Sequence, residues 1–495
     1  MLKTQRTAYL PILFFFSCIL FNSCAPEKPT TEEVLYNQYC ASCHIAPKID
    51  ALPKDIWENA VLPDMASRME IEEMYQDPNE VKSGFRPKIK LKDWAMLQNY
   101  IVLMAPEKLA SNKIPKLNTL ELFEATEVAL DGQNGGFISY LEFAKNGTDL
   151  YYGDIFGSLM SHRFETGMNH QIYKGDTPIT WYNKSDSLSI FTEVGILDPS
   201  ELEQGKLVSV KEEDTISLQN RFHRPVHTLL EDLNDDGKVE MVVSEFGNET
   251  GRLSLLVQND SLQYDKTVLI NLPGCIRTLA KDMNNDGKTD LITITSQAYE
   301  SVTILYQTED LKFRAEKVLE FSPVYGSSWF ELVDYNGDGH DDIVTVNGDN
   351  ADKSYVHKPY HGMRIHLNNG DNTFTESYFY PLNGATRVLA RDFDKDGDID
   401  FGLISTFPDY ENAPELSFVY LENTDAKNFE FATKVLEQPN SGRWFLMDAS
   451  DIDKDGDEDI ILSSFTYVFT PVPDALSKKW ENSNVDILVL ENKLH

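Results

Sequence analysis

An acidic phrase that recurs five times constrains the fold of this 495-residue chain more than any other feature of its sequence. The copies read "EDLNDDGKVEMVVSE", "KDMNNDGKTDLITIT", "VDYNGDGHDDIVTVN", "RDFDKDGDIDFGLIS" and "SDIDKDGDEDIILSS". Their leading aspartates lie 50, 52, 58 and 59 residues apart, at Asp232, Asp282, Asp334, Asp392 and Asp451. An alternating strand pattern follows each copy. A period of this length in a strand-rich sequence predicts the blades of a β-propeller.

Two weaker copies precede the acidic ones and raise the expected blade count to seven. The stretch "SYLEFAKNGTDLYYGD" has the rhythm without the acids, and "SLSIFTEVGI" with "GKLVSVKEED" supplies the strands of another blade. The last blade has only three strands, ending in "DILVLEN". Near residue 122, "LFEATEVALDG" has the pattern of an outer strand. We therefore expect a seven-bladed propeller over residues 116–495, closed by this N-terminal strand.

Each acidic phrase follows the pattern D-x-[DN]-x-D-G-x-x-[DE], which is typical of a calcium loop. Side-chain oxygens at positions 1, 3, 5 and 9 can converge with the carbonyl of position 7, while glycine at position 6 permits the sharp turn. A strand follows each phrase and position 12 holds no glutamate, so these are not EF-hands. Metal-free Asx turns are the alternative, but the clustered carboxylates would repel one another, and we expect about five calcium ions.

The candidate calcium ligands are four side chains in each of the five phrases. They are Asp232, Asn234, Asp236 and Glu240; Asp282, Asn284, Asp286 and Asp290; Asp334, Asn336, Asp338 and Asp342; Asp392, Asp394, Asp396 and Asp400; and Asp451, Asp453, Asp455 and Asp459.

These repeats resemble the FG-GAP and VCBS families, the first of which builds the propeller of integrin α chains. The resemblance implies that the acidic loops join strands 1 and 2 of each blade on one face. The strand 2 to 3 loops then emerge on the other face, and three of them are long: residues 347–362, 405–416 and 463–484. On that side we expect a central funnel for a polar or anionic ligand, lined at the strand starts by His227, Arg277, Trp329, Arg387 and Arg443.

A second motif, C-x-x-C-H at Cys40, Cys43 and His44, indicates one covalently attached haem. Both thiols can add to the vinyl groups of a porphyrin, while the adjacent imidazole reaches the iron. A thioredoxin-like pair or half a zinc site would use the same cysteines. Neither a second C-x-x-C nor a βαβ pattern accompanies the motif, so haem c is favoured.

The surrounding helices resemble a small class I cytochrome c, and we assign residues 24–115 to this all-α domain. A capping box at Thr30 opens a helix that delivers the cysteines, and "LKDWAMLQNYIVLMAP" gives a second helix. The resemblance implies methionine as the second axial ligand, with candidates at Met65, Met69, Met74, Met96 and Met104. Met65 is favoured, since "VLPDM" places it in a loop beyond a proline. Met69 is next, and Met96 and Met104 fit the helix core.

The N-terminus predicts export. Basic residues precede the apolar run "LPILFFFSCILF", which is too short to span a membrane comfortably, so residues 1–23 fit a signal peptide. "LFNSC" resembles the lipobox of bacterial lipoproteins, which implies lipidation of Cys24. The expected location is the periplasm or cell surface, at the outer membrane of a Gram-negative bacterium, with the lipid as the sole membrane anchor. An ordinary cleaved signal is the alternative.

The charge balance excludes some partners. With 80 acidic against 44 basic residues, the surface would repel nucleic acid. Our main hypothesis is an exported, membrane-anchored c-type cytochrome that transfers electrons, with a propeller that docks a redox partner protein or an exported dehydrogenase. One alternative is a propeller-based binding or adhesion protein, and another is a haem-linked dehydrogenase with an unidentified cofactor. The sequence has no clear catalytic base, which favours electron transfer over a stand-alone enzyme.

Overall fold

The structure is a computed structural model that describes residues 29–69, 71, 89–145, 147–184, 188–211, 214–349, 355–467 and 470–494. The expected signal peptide, Cys24 and Met74 lie outside these ranges. The described residues form a helical module, residues 29–104, and a β-propeller, residues 117–494. Within the described ranges, no helix combines the length and the apolar character needed to cross a bilayer.

The helical module begins with α1 (Thr31–Cys40), and the expected capping box is present at its start. The Thr30 hydroxyl accepts a hydrogen bond from the Glu33 amide, and the Glu33 carboxylate accepts one from the Thr30 amide. After a 3₁₀ turn at Ile49–Ala51 come α2 (Lys54–Ile56), α3 (Leu62–Met69) and α4 (Leu91–Met104). Trp94, Leu97 and Ile101 of α4 are buried. Met104 is 60% exposed, so its assignment to the helix core was wrong.

The segment from α2 to α3 differs from the loop that was predicted around Met65. A π-helical turn at Trp57–Val61 joins the two helices, and helical structure runs on through Pro63 to Met69. Proline lacks an amide hydrogen, and the wider turn before it accommodates the missing donor, with the Leu62 amide bonding back to Trp57. Met65 therefore lies in α3 and not in a loop, which corrects the prediction.

Strand alternation continues through the rest of the chain. The strands are β1 (Leu117–Thr119), β2 (Phe123–Val128), β3 (Ile138–Phe143), β4 (Asp149–Asp154), β5 (Ser158–Arg163), β6 (Met168–Lys174), β7 (Ile179–Lys184), β8 (Ser189–Glu193), β9 (Gly205–Lys211), β10 (Asp214–Phe222), β11 (Pro225–Glu231), β12 (Glu240–Glu245), β13 (Arg252–Gln258), β14 (Tyr264–Ile270) and β15 (Cys275–Lys281). They continue with β16 (Asp290–Thr295), β17 (Ser301–Glu309), β18 (Lys312–Glu320), β19 (Ser327–Val333), β20 (Asp342–Asn347), β21 (Gly362–Asn368), β22 (Phe374–Pro381), β23 (Ala385–Arg391), β24 (Asp400–Ser405), β25 (Phe418–Asp425), β26 (Glu430–Val435), β27 (Trp444–Ser450), β28 (Asp459–Ser464) and β29 (Ile487–Asn492).

In the described part of the chain these strands form seven antiparallel blades, which confirms the predicted seven-bladed propeller. Blades 1 to 6 are β3–β6, β7–β10, β11–β14, β15–β18, β19–β22 and β23–β26, and blade 7 contains β27–β29. The second strand of each blade from 3 to 7 is buried along its whole length, because neighbouring blades cover both of its faces.

The ring closes as the sequence predicted. Strand β2 pairs antiparallel with β29 and supplies the fourth strand of blade 7, from Phe123 opposite Asn492 to Val128 opposite Ile487. Strand β1 adds a further contact that the sequence did not reveal, since it pairs in parallel with β26 as a fifth strand of blade 6. Two blades are therefore tied to the start of the propeller.

The helical module is attached to the propeller by specific contacts. The Tyr360 hydroxyl donates to the Ala51 carbonyl (2.8 Å). In the segment that connects the module to the propeller, Asn112 Nδ2 donates to the Pro359 carbonyl (2.9 Å). Val324 of the propeller packs against the apolar core of the helical module. Pro359 and Tyr360 belong to the long loop between β20 and β21, so this loop holds the module on the propeller.

A cavity between the helical module and the propeller as the candidate functional site

A single cavity of about 1370 Å³ connects the two predicted functional regions. Cys40, Cys43 and His44 line it from the helical module, while Arg277 and Arg387 line it from the first strands of two blades. We refer to these two regions as the haem-motif end and the propeller end. The sequence predicted each region separately but not that they face a common space.

The propeller end is built by a β-bulge repeated in every blade. The register of the first and second strands shifts near the start of the first strand in all seven described blades, at Ile138/Tyr140, Ile179/Trp181, Pro225/His227, Cys275/Arg277, Ser327/Trp329, Ala385/Arg387 and Trp444/Met447. A bulge re-aims side chains and increases the local twist. Residues from all seven bulges line the cavity, so the same backbone feature presents a different set of side chains in each blade.

Three of the five residues expected at the funnel line the cavity, namely Arg277, Trp329 and Arg387. His227 is instead buried against Trp181, with ring centroids 4.2 Å apart, and burial lowers its imidazole pKa to about 3. Arg443 is also buried, and its guanidinium donates to the Thr470 hydroxyl inside the blade. The placement of His227 and Arg443 in the lining was therefore wrong.

The error at Arg443 has a simple cause. The three correctly placed residues all lie five positions before the leading aspartate of their blade, whereas Arg443 lies eight positions before Asp451. Counting five positions back from Asp451 reaches Leu446, which does line the cavity. The same offset from Asp232 selects His227, which is buried, so the offset identifies Leu446 but does not by itself place a residue in the lining.

Several acids in the propeller end were missed by the sequence reasoning, among them Glu142, Glu331, Asp349 and Asp448. Burial is the main cause that raises the pKa of Glu142 to about 7 and the pKa of Asp448 to about 6. Glu331 accepts hydrogen bonds from Arg277 Nη1 (2.8 Å) and Trp329 Nε1 (3.1 Å). The propeller end therefore contains both cations and acids, and burial favours the neutral form of two of these acids, Glu142 and Asp448.

At the haem-motif end, the residues present fit a c-type haem. His44 Nδ1 lies 2.9 Å from the Ile45 carbonyl, and because a carbonyl only accepts, Nδ1 carries the proton and leaves Nε2 available to iron. Burial raises the pKa of the Cys40 thiol to about 12. A redox-active thiolate needs a lowered pKa, so this environment disfavours a thioredoxin-like use of Cys40.

The opposite wall of the haem-motif end is apolar. Leu52, Trp57 and Val61 contribute to it, and Met65 and Met69 lie one helical turn apart on α3 and both line the cavity. The geometry brings both favoured axial candidates to the same space as His44. It does not separate Met65 from Met69.

The acidic loops lie at the other end of the first strands, away from the cavity. We call this side the acidic face and the opposite side the cavity face. In all five loops, a side-chain oxygen of the position 1 aspartate accepts a hydrogen bond from the amide of the position 6 glycine, over 2.8–3.1 Å. Those glycines have positive φ, as the pattern required, for example 83° at Gly237 and 101° at Gly456.

Two loops bring three carboxylates together. Ligand atoms of Asp392, Asp394 and Asp396 lie within 4.8 Å of one another, as do those of Asp451, Asp453 and Asp459. The other three loops have asparagine at position 3, whose amide oxygen is the equivalent donor. Asp451 Oδ1 and Asn234 Oδ1 are buried without a hydrogen-bond partner among the described residues. Such orphaned oxygens fit a hard cation.

The position 9 acids also bind the backbone. Asp290, for example, accepts hydrogen bonds from the Met283 amide (3.0 Å) and the Gln307 amide (2.8 Å), which ties the loop to the third strand. Burial and neighbouring acids raise the pKa of Asp400 to about 7 and of Asp459 to about 6. These loops therefore hold carboxylates whose ionisation a bound cation would favour.

Three solved structures are similar to this chain at low sequence identity. The N-terminal domain of Nup159 aligns with 76% of this chain and 96% of its own, at 12% identity and a TM-score of 0.40. The Pan2 WD40 domain of Neurospora crassa aligns with 75% and 96%, at 13% identity and a TM-score of 0.42. A putative 6-phosphogluconolactonase from Bacteroides uniformis aligns with 60% and 85%, at 13% identity and a TM-score of 0.39.

No curated protein matches the chain. The family model of the FG-GAP-like repeat matches residues 282–345. This segment runs from the acidic loop of blade 4 into β20 of blade 5 and so contains two of the five acidic loops. This segment of the propeller is thus similar to an FG-GAP-like repeat.

Proposed function

We propose that the propeller is a binding module that receives a ligand or partner at the cavity. FG-GAP-like repeats in a β-propeller favour a role of this kind. The observation that carries the proposal is the cavity itself, where the bulges of all seven blades bring charged, polar and aromatic side chains to one space. A concave site that combines apolar walls with convergent polar groups is the usual form of a small-molecule site.

Thermal unfolding of the full-length protein against a panel of organic acids, sugars and alcohols tests this role. A ligand at 100 times its dissociation constant stabilises the native state by about 2.7 kcal/mol. We expect one chemical class to raise the Tm, and the rise to shrink in Trp329→Phe. A panel with no effect on the Tm would contradict a small-molecule site.

We further propose that the helical module holds one haem c and that the protein transfers electrons. The supporting observation is that Cys40, Cys43 and His44 line the same cavity as the propeller residues. A haem c, when bound, supplies reversible one-electron chemistry at its iron. The two cysteines would hold it covalently and His44 Nε2 would ligate it, while Met65 supplies the second ligand. Leu52 and Trp57 would exclude water from that end of the cavity.

Expression in a host with a c-type haem maturation system tests this second role. We expect one haem per chain that resists acid extraction, and a reversible reduction. In an electron-transfer protein, we expect a redox partner or an exported dehydrogenase to reduce the haem. Small substrates alone should not reduce it. Reduction by an alcohol or sugar without any partner would instead identify a haem-linked dehydrogenase.

Mutation can show which methionine ligates the iron, although both candidates lie on α3. Met65→Ala should remove the near-infrared sulfur-to-iron band of the oxidised protein and lower the reduction potential. Met69→Ala is the matched control, since it lies one turn away and lines the same cavity. If the band survives in Met65→Ala and disappears in Met69→Ala, the assignment is reversed.

Two further proposals complete the function. The five acidic loops bind about five calcium ions, each of which stabilises its blade. The chain is exported and anchored by a lipid on Cys24. Measurement of the calcium content tests the first proposal, and labelling with a radioactive fatty acid tests the second. Replacing Cys24 with Ser should abolish the labelling.

A further inference from the structure

The cavity is larger than one ligand requires and its two ends differ in chemistry. Typical small-molecule sites occupy about 300–1000 Å³, whereas this cavity has about 1370 Å³. Sulfur, imidazole and apolar groups line the haem-motif end. Four arginines, two tryptophans and several acids line the propeller end, the arginines being Arg224, Arg277, Arg387 and Arg391 and the tryptophans Trp181 and Trp329. The propeller end therefore has its own recognition chemistry.

The centre of the propeller end is a stack of three side chains. The Arg277 guanidinium lies 4.2 Å from the ring centroid of Trp329, and the Arg387 guanidinium lies 4.5 Å from the same ring. Attraction between a cation and the face of an indole holds each guanidinium against the ring. A planar guanidinium stacked in this way can still donate hydrogen bonds from its edge.

Glu331 fixes this stack in place. It accepts from both Arg277 Nη1 and Trp329 Nε1, and Arg277 Nη1 also donates to the Phe330 carbonyl over 2.6 Å. Two of the three stacked side chains are thus held by hydrogen bonds before any ligand arrives. A pre-ordered site loses less conformational freedom on binding.

The two arginines differ in charge compensation. Arg277 forms a salt bridge with Glu331. Arg387, in contrast, forms no salt bridge within the described ranges, and its one hydrogen bond there goes from Nη1 to the Thr386 carbonyl over 2.8 Å. Burial and the nearby Arg277 lower the pKa of Arg387 to about 10, while the charge of Asp349 opposes this shift, so Arg387 remains charged at neutral pH. Arg387 is half-buried, and a partly buried cation without a salt-bridge partner gains from an anion that joins it.

We propose that Arg387, held on Trp329 beside Arg277, binds the carboxylate group of a ligand in the propeller end of the cavity. The planar fork of arginine matches a carboxylate, which can accept two parallel hydrogen bonds from it. A monoanion suits this environment better than a dianionic phosphate, because Glu331, Glu142 and Asp448 line the same end. This inference deepens the proposed binding role of the cavity and rests on it.

Two sources can supply the carboxylate: a free small organic acid, or a propionate of the haem. The test is calorimetric titration of the full-length protein with benzoate, with neutral benzamide as the control for charge. Arg387→Gln should weaken benzoate binding at least tenfold, and Arg387→Lys, which keeps the charge but loses the fork, should weaken it less. Arg314→Gln is the matched control, since Arg314 stacks on Tyr306 outside the cavity and is 59% exposed.

A haem-free variant, Cys40→Ser with Cys43→Ser, distinguishes the two sources. Arg387-dependent benzoate binding by the haem-loaded protein identifies a free acid as the ligand. A haem propionate is identified by two results together. Benzoate binds only to the haem-free variant, and Arg387→Gln alters the pH dependence of the haem potential in the loaded protein.

The proposal is overturned if benzoate binding does not depend on Arg387. It is also overturned if neither the haem-loaded protein nor the haem-free variant binds benzoate. Equal binding of benzamide overturns it as well. If the purified protein has no haem at all, the electron-transfer role fails, but the benzoate titration is still decisive for the carboxylate site. Calcium-dependent unfolding of each variant reports whether that variant is folded. If Arg387→Gln is not folded, Arg387→Lys replaces it as the test variant.

Discussion

The two faces of the propeller are built from opposite kinds of sequence. The acidic face repeats one loop five times, with the same aspartate-to-glycine hydrogen bond in each copy. The cavity face repeats only a backbone bulge and places different side chains on it, such as Tyr140, Arg277 and Trp329. The difference teaches that repetition here specifies a scaffold, while variation at one repeated position specifies the chemistry.

The largest expected effect is a loss of haem on the cavity face without any change of calcium binding on the acidic face. Cys40→Ser combined with Cys43→Ser should abolish covalent haem, because both thioether bonds are lost. Calcium content and calcium-dependent unfolding should not change, since the acidic loops lie on the opposite face. Mass spectrometry and metal analysis of the same preparation measure both. Loss of calcium in this variant would show that the faces are coupled.

Removal of calcium should have the next largest effect, confined to the acidic face. Excess chelator should lower the Tm of the propeller by about 5 °C or more, since several sites each stabilise the native state by mass action. The haem spectrum at room temperature should not change. Calorimetry and absorption spectroscopy measure the two responses. An unchanged melting curve in chelator would contradict the calcium assignment.

The pH dependence of calcium stabilisation sharpens the comparison further. In the metal-free fold, burial and neighbouring acids raise the pKa of Asp400 from 3.8 to about 7 and that of Asp459 to about 6. These groups stabilise the metal-free fold below about pH 4 and lose that contribution as the pH rises through about 7.

Calcium binds the ionised carboxylates, so its stabilisation should grow over the same range. The rise in Tm on adding calcium should be about twice as large at pH 8 as at pH 5. Melting curves with and without calcium at both pH values measure it. An equal rise at both would mean that these acids are not ligands.

The smallest effect concerns a single loop. Asp451→Asn should remove about one of the five calcium ions, because position 1 supplies a carboxylate oxygen to the cluster with Asp453 and Asp459. Asp260→Asn is the matched control, since Asp260 is exposed in a turn outside the acidic loops. Equilibrium dialysis measures the stoichiometry. A similar loss in both variants would point to a non-specific effect of charge.

The sequence predicted the features that recur. The seven blades, the glycine turns and the closure by β2 followed from periodicity, because each blade solves the same packing problem. The contacts that position the helical module, such as Tyr360 to Ala51, join residues far apart in the chain and have no repeated pattern. The helical position of Met65 was missed because a π turn accommodates Pro63, a compensation that no local propensity encodes.

Ring closure by β2 and β29 also has a consequence for the order of folding. The two strands join Phe123 to Asn492, so this pairing spans most of the chain and closes its longest loop. Contacts between such distant segments form slowly, whereas hairpins within a blade form early. The cavity needs walls from blades 1 and 7 together, including Tyr140 and Asp448. Its assembly should therefore wait for the last strand, and ligand binding should report completed folding of the whole chain.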